Sequence, residues 1–168
     1  MTIFFTSDTH FGHKKIIEYC NRPFADVHEM NEELIRRWNE KVSPDDIVYH
    51  LGDFAFMPKA RIVEIIERLN GKIVLIMGNH DAKGIRKLFH GWHKELLLSL
   101  EVNGMTELFL SHYPIAHECG LVLCGHVHNA WKVGSFSGNP VINVGVDVWD
   151  YYPVSIEEIR DFDMALGL

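Results

Sequence analysis

Ile3-Phe4-Phe5-Thr6-Ser7-Asp8-Thr9-His10 begins apolar and turns polar within a few residues. The β-branched and aromatic run from Thr2 to Thr6 predicts a buried strand, and Asp8 stands just past its end. The same arrangement recurs twice. Ile47 to Leu51 reads as a second buried strand running into Gly52 and Asp53, and Lys72 to Met77 as a third running into Gly78, Asn79, His80 and Asp81. Helical stretches lie between them. His13 to Cys20, with Ile16, Ile17 and Tyr19, permits a short helix stopped by Asn21, Arg22 and Pro23. Asp26 is placed to cap a longer one, because Met30, Leu34, Ile35 and Trp38 recur at helical spacing through to about Val42. Pro58 fits the first turn of a third, with Ile62, Ile65, Ile66 and Leu69 on one face and Asn70-Gly71 closing it.

The second half is richer in strands. Leu96 to Val102 and Thr106 to Leu110 flank Asn103-Gly104, a hairpin signal because both residues tolerate the positive φ of a type I′ turn. The second arm ends at Ser111 and His112. Leu121 to Cys124 is a short apolar strand that runs into Gly125-His126-Val127-His128, and Val141 to Val146 reads as another. A last helix, Ile156 to Phe162, has Ser155 as its cap and Glu158 three residues on, as in a capping box. Alternation of strands and helices early, with strands late, predicts an α/β sandwich of two sheets with helices on the outer faces.

The chain has 168 residues, 47% hydrophobic and 23% charged, which fits one globular domain spanning 1–168 that is neither disordered nor dependent on disulfides. Ile3 to Phe5 is too short for a signal-peptide core and nothing later approaches a membrane span, so a cytoplasmic location without membrane partners is expected. Cys20, Cys119 and Cys124 form no Cys-x-x-Cys pair and read as buried, reduced thiols. A net charge of -7 disfavours a protein that wraps extended nucleic acid, whose affinity comes from many Lys and Arg contacts to phosphates. Eleven histidines are many for this length, and histidine is the commonest metal ligand.

Asp8, His10, Asp53, Asn79, His112, His126 and His128 all follow predicted strands directly, where loops at the carboxyl ends of α/β sheets converge on binding sites. In Asp8-Thr9-His10 and His126-Val127-His128 the spacing of two would send both side chains to one side of an extended segment. Gly52, Gly78 and Gly125 precede Asp53, Asn79 and His126, as expected where backbone turns sharply or packs close to a neighbour. Seven ligands exceed the needs of one tetrahedral ion but suit two ions bridged by a shared carboxylate, for which Asp53 is the choice.

Asp8-Thr9-His10, Gly52-Asp53, Gly78-Asn79-His80-Asp81, His112 and Gly125-His126-Val127-His128, in this order, resemble the signature of the calcineurin-like metallophosphoesterase superfamily. Each motif alone is common; the ordered set is specific and spans most of the chain. The resemblance implies a four-layer αββα sandwich, two mixed β-sheets flanked by helices, carrying a dinuclear centre. It implies that Asp8, His10 and His128 hold one metal, that Asn79, His112 and His126 hold the other, that Asp53 lies between them, and that His80 stays free of metal. An oxygen and imidazole ligand set without thiolate suits two divalent transition-metal ions, manganese foremost, with iron, zinc, nickel or cobalt as alternatives to it and magnesium less suited.

The implied activity is hydrolysis of phosphate mono- or diesters by a metal-bridging hydroxide, with His80 assisting the leaving group and Asp81 orienting its imidazole. Asp53 is followed here by Phe54, Ala55 and Phe56, where phosphoprotein phosphatases continue with a further acid and an arginine, which disfavours a protein-phosphatase role. The expected partner is a small phosphate-ester substrate. A nuclease for short or structured nucleic acid, and a protein-binding scaffold on the same fold, are the competing readings; oligomeric state is open. Arg22 and Asn21 are carried as substrate contacts, Arg22 as a bidentate phosphate clamp with an exposed structural arginine as the alternative. His13 reads as a helix start or a supporting residue of the site. Lys83, Arg86, Lys87 and Lys94 read as a solvated helix face or an attractor of anions, and Trp149, Tyr151 and Tyr152 as packing.

Overall fold

The computed structural model describes residues 1–102, 105–118 and 120–166. The predicted hairpin turn at Asn103-Gly104 and the thiol of Cys119 lie outside the described residues. Sheet one contains β1 (Ile3–Thr6), β2 (Ile47–His50), β3 (Lys72–Ile76), β4 (Gly91–His93) and β10 (Val154–Ser155) in the order β10-β1-β2-β3-β4. The first four are parallel and β10 is antiparallel to β1. Sheet two contains β5 (Glu95–Val102), β6 (Met105–Ser111), β7 (Leu121–Cys124), β8 (Val133–Phe136) and β9 (Asn139–Asn143) in the order β5-β6-β7-β9-β8. Its β6-β7-β9 centre is parallel and both edges are antiparallel. Helices α1 (Lys14–Tyr19), α2 (Val27–Lys41), α3 (Lys59–Ile66) and α4 (Ile156–Leu166) complete the chain.

The period of two along each strand sorts its side chains between layers. Phe4, Val48, Ile73 and Leu75 face outward into a core with Met30, Leu34, Ile35 and Trp38 of α2 and Ile62 and Ile65 of α3. Phe5 and Ile76 face the other way and meet Leu108, Leu110, Leu121, Leu123 and Ile142 between the sheets, where Ile156 and Ile159 of α4 join them. Burying each such aliphatic or aromatic side chain contributes about 1.5–3 kcal/mol. The outer face of sheet two buries Phe109, Val122, Cys124 and Val141 against Ile115 and Trp131, which lie on connecting segments. The expected architecture of two mixed sheets with helices is therefore present, and the layer over sheet two is made by loops.

Helix signals behave as read. The Asp26 carboxylate accepts from the amides of His28 and Glu29, and Ser155 and Glu158 bond reciprocally across the start of α4. The α3 helix ends at Ile66, short of Asn70-Gly71, because the amides of Arg68 and Leu69 turn to the carbonyls of Ile65 and Ile66 in tighter i→i−3 bonds. The strand expected over Val141 to Val146 is β9 and stops at Asn143. Beyond it Gly145 bridges to Ser7, the Val146 amide bonds to the Ser7 carbonyl, and the chain turns into a 3₁₀ segment at Val146–Val148. That crossing ties the carboxyl end of β1 to sheet two.

Candidate metal centre

The loops that leave β1, β2, β6 and β7 meet at one rim and are knitted by backbone bonds. Asp8 and His10 donate their amides to the carbonyls of Gly52 and Asp53, each at 3.0 Å, and the Gly125 amide reaches the His112 carbonyl at 3.1 Å. Asp81, buried, accepts from the amides of Asp53, Phe54 and Gly78 at 2.8–3.0 Å and so clamps two of these loops together. It does not orient His80, as the sequence reading supposes. Asp8, His10, Asp53, His126 and His128 all adopt positive φ, between 47° and 69°. For residues with a side chain this is strained backbone, at about 1–3 kcal/mol each, that surrounding contacts must hold in place. Asp8 and His10 thus converge through left-handed turns and not through extended chain. The approach is close: a Cβ on Gly78 would lie 2.2 Å from Asp53 Oδ1, and one on Gly125 would lie 2.5 Å from Asp8 Oδ2.

On one side Asp8, His10 and His128 bring a carboxylate oxygen and two ring nitrogens within 4.8 Å of one another. Asp8 Oδ1 and His10 Nε2 are buried there without a hydrogen-bond partner. The other Asp8 oxygen accepts from the His126 amide at 2.9 Å. His128 Nδ1 lies 3.0 Å from the carboxylate of Asp147, which accepts its proton, so Nε2 is the nitrogen that faces Asp8 Oδ1, at 3.9 Å. Burial works against charge on His128, but Asp147 outweighs it and raises the imidazole above its usual pKa, so a cation taking that position displaces a proton. Asp147 is itself held: Arg22 Nε and Nη2 donate to its two oxygens at 2.8 and 3.0 Å, with both side chains fully buried. Burial opposes ionisation of Asp147, yet His128 and Arg22 keep its carboxyl below the ordinary range.

On the other side His112 donates Nδ1–H to the Leu51 carbonyl at 2.8 Å, which leaves Nε2 as a bare lone pair. That nitrogen lies 3.0 Å from Asn79 Oδ1. A contact this short is met by a cation between the two atoms, by an added proton on Nε2, or by an Asn79 amide turned to donate its NH2. The exposed His126 ring packs edge-on to His112 and Tyr113, with centroids 5.1 and 4.7 Å apart. Asp53 stands between the two sides, its Oδ2 3.5 Å from His10 Nε2 and 3.7 Å from His112 Nε2. Burial alone would raise its pKa; the His10 and His112 rings and the His80 amide outweigh that and hold it at about 2. Six of the seven residues therefore bring ligand-type atoms to a common space, and the His126 ring stands at its edge beside His112. This donor set of three carboxylate or amide oxygens and four imidazoles fits two divalent ions.

His80 is exposed, donates its amide to Asp53 Oδ1 at 2.9 Å, and has its ring 5.7 Å from that of His10, beside the centre but outside its donor set. His13 stands at the start of α1 without a side-chain cap bond and places Nδ1 3.2 Å from His10 Nδ1, so Nε2 is the His10 nitrogen left toward the centre. Arg22 departs from its sequence reading. Its remaining donors go to the carbonyls of Asp8 at 2.7 Å and Thr9 at 3.0 Å and to the Met30 sulfur, so it lies under the rim with nothing left for a substrate phosphate. Asn21 is an exposed, left-handed residue that closes α1, with its amide on Glu18. Asp147 is the functional residue sequence reasoning misses. Lys83 is exposed and Arg86 lies over Trp92, in a 3₁₀ turn and not a helix face, while Trp149 and Tyr151 pack on Phe162 and Phe24. No helix among the described residues is long and apolar enough to cross a membrane.

Comparison with known proteins agrees with this geometry. Residues 1–149 match the calcineurin-like phosphoesterase superfamily domain. An uncharacterized protein of Methanocaldococcus jannaschii is 41% identical, with 94% of this chain and 88% of that one covered. The gene 66 protein of Mycobacterium phage L5 is 29% identical over 94% of this chain and 91% of its own length. A solved protein of unknown function from Aquifex aeolicus superposes with a TM-score of 0.77 at 27% identity, covering 96% of this chain and 98% of that one.

Proposed function

The chain belongs to the calcineurin-like phosphoesterase superfamily, and from that premise we propose that it hydrolyses small phosphate mono- or diesters with two divalent transition-metal ions, manganese foremost. The observation that carries the reading is the buried, unpartnered Asp8 Oδ1 and His10 Nε2 in a cluster with His128, Asp53 and His112, with Asn79 3.0 Å from His112. Asp8, His10 and His128 would hold one ion, Asn79, His112 and His126 the other, and Asp53 would reach both. When bound, the two cations supply a water acidic enough to attack phosphorus near neutral pH and offset the charge on the phosphate oxygens.

The chain's own residues do the rest. Asp147 and the Leu51 carbonyl keep the Nδ1 protons of His128 and His112, so that both Nε2 atoms face inward. Arg22 fixes Asp147 and the carbonyl of Asp8 together, which keeps the first loop in its strained shape. His80, held by its amide on Asp53, supplies a proton to the departing ester oxygen, a role worth roughly 10²- to 10⁴-fold in rate. The net charge of -7 supports a small substrate over extended nucleic acid. The test is turnover of monoesters, linear diesters, cyclic nucleotides and short oligonucleotides with Mn²⁺, Ni²⁺, Zn²⁺ or Mg²⁺, run beside Asp53→Ala. Manganese-dependent turnover of a small ester that the variant lacks supports the reading. Inertness on every ester with every metal overturns it.

A further inference from the structure

Beside His80 the chain forms a cleft of about 440 Å³ between the loop after β2, the start of α3 and the loop after β3. Phe56, Met57, Ile62 and Ile85 give it apolar walls, Lys59 is its cationic member, and His80 itself lines it. Its volume falls within the ~300–1,000 Å³ of small-molecule pockets. Phe56 is 55% exposed although it is a large aromatic residue. Its ring is held in place, stacked on His13 at 4.8 Å and edge-on to His80 at 6.2 Å. An exposed phenyl ring fixed by two site histidines has a solvation cost that contact with an apolar ligand would relieve. Gly84, also in the lining, has nothing within 4 Å of where a Cβ would stand, so a larger side chain fits there without a clash.

We infer that this cleft receives the organic group attached to the departing oxygen, and that the preferred substrates are esters of apolar, aryl-sized alcohols. This rests on the phosphoesterase reading and on His80 as the proton donor to that oxygen. In hydrolysis the bond from phosphorus to the ester oxygen breaks with its electron pair on that oxygen. The oxygen takes the proton from His80 and leaves as the alcohol, while water supplies the new oxygen on phosphorus and returns a proton to the imidazole. The carbon chain on that oxygen must then project from the His80 ring, and the walls there are Phe56, Met57 and Ile85. Burial of one phenyl group against them accounts for a preference of at least about tenfold.

Ethyl and 2-phenylethyl phosphate, and their methyl diesters, have alcohols of similar acidity and differ in the phenyl group. The wild-type, metal-loaded enzyme should favour the 2-phenylethyl ester by at least about tenfold in kcat/KM for alcohol release. Phe56→Ala, which removes an exposed wall, and Gly84→Leu, which fills the cleft from a position free of contacts, should each cut that ratio about fivefold or more. A wild-type ratio near one, or a ratio that neither variant moves, overturns the cleft assignment and leaves the phosphoesterase reading standing. Absence of hydrolysis of all four esters, together with inertness on the wider panel above, overturns the phosphoesterase reading instead. The cleft is then read without turnover: the methyl resonance of Met57 should shift on titration with 2-phenylethanol and not with ethanol, and an unmoved resonance overturns the assignment.

Discussion

The Asp8-His10-His128 side of the centre and the Asn79-His112-His126 side share Asp53 but are built to different standards of enclosure. On the first side Asp8 and His10 are buried, and His128 is backed by Asp147, which Arg22 grips with two bonds out of solvent. Three side chains, His128, Asp147 and Arg22, thus stand one behind another on this side. On the second side His112 is buried and braced by a carbonyl, but Asn79 and His126 are exposed and the ring of Tyr113 is the main neighbour of His126. Enclosed ligands with satisfied outer partners hold a cation tightly, whereas exposed ones leave positions for water and substrate. On the proposed function, the buttressed side would retain an ion and the open side would meet the ester.

The largest way to break this comparison is at the residue common to both sides. Asp53→Ala removes the shared carboxylate, and hydrolysis should fall on the order of 10³-fold or more, because charge stabilisation by the ions is worth several kcal/mol. Steady-state rates with excess metal check this. His80→Ala leaves both sides intact, so the rate should fall about 10²-fold while metal content by elemental analysis stays at the wild-type level. Asp147→Asn tests the buttress alone. Affinity for the tighter ion should weaken roughly 10- to 100-fold, with the weaker ion unaffected, in a two-site titration. Equal weakening of both would mean the sides are not separately supported.

The smallest effect near neutrality concerns the floor of the enclosed side. The Thr9 hydroxyl donates to the Phe54 carbonyl and so must accept from His50 Nε2–H, which leaves the buried His50 Nδ1 unprotonated and unpartnered. Burial pushes the pKa of His50 down to about 3, against an ordinary value of 6.5. Between those values the unfolded chain binds more protons than the folded one. The stability contribution is thus complete above about pH 6.5 and is lost as pH falls toward 3. Asp53, held at about 2, adds a loss of the same sign below its ordinary 3.8. The raised imidazole of His128 acts with the opposite sign near neutrality, so the urea midpoint of the metal-free protein should drop between about pH 6 and pH 4.5, and a flat midpoint there would contradict the account of His50.

Much of this was legible in the chain because each ligand follows a strand whose alternation is plain. Phe4 and Phe5 go to opposite layers, and Asp8 follows within three residues of Phe5. The edge strands escape the eye for the opposite reason. Gly91-Trp92-His93 and Val133-Gly134-Ser135-Phe136 contain glycine and polar residues, are partly exposed, and carry no alternation to detect. Asp147 escapes because its stretch reads as the end of a strand, while the chain there turns through a 3₁₀ segment toward Arg22, 125 residues away in sequence. Arg22 is misread for the same cause: a loop arginine beside a proline looks free until a distant carboxylate is seen to claim it. The convergence of Asp8 and His10 is foreseen, but through extended spacing and not through the left-handed turns the structure uses.

The central claim is that Asp53 joins two ion positions of unequal enclosure. Its most direct test is the binding of Mn²⁺ to the metal-free protein by equilibrium titration. The account predicts two ions per chain with distinct affinities, the weaker released first to a chelator. Binding of no ion, or of a single ion whose affinity is unchanged in Asp53→Ala, would contradict it.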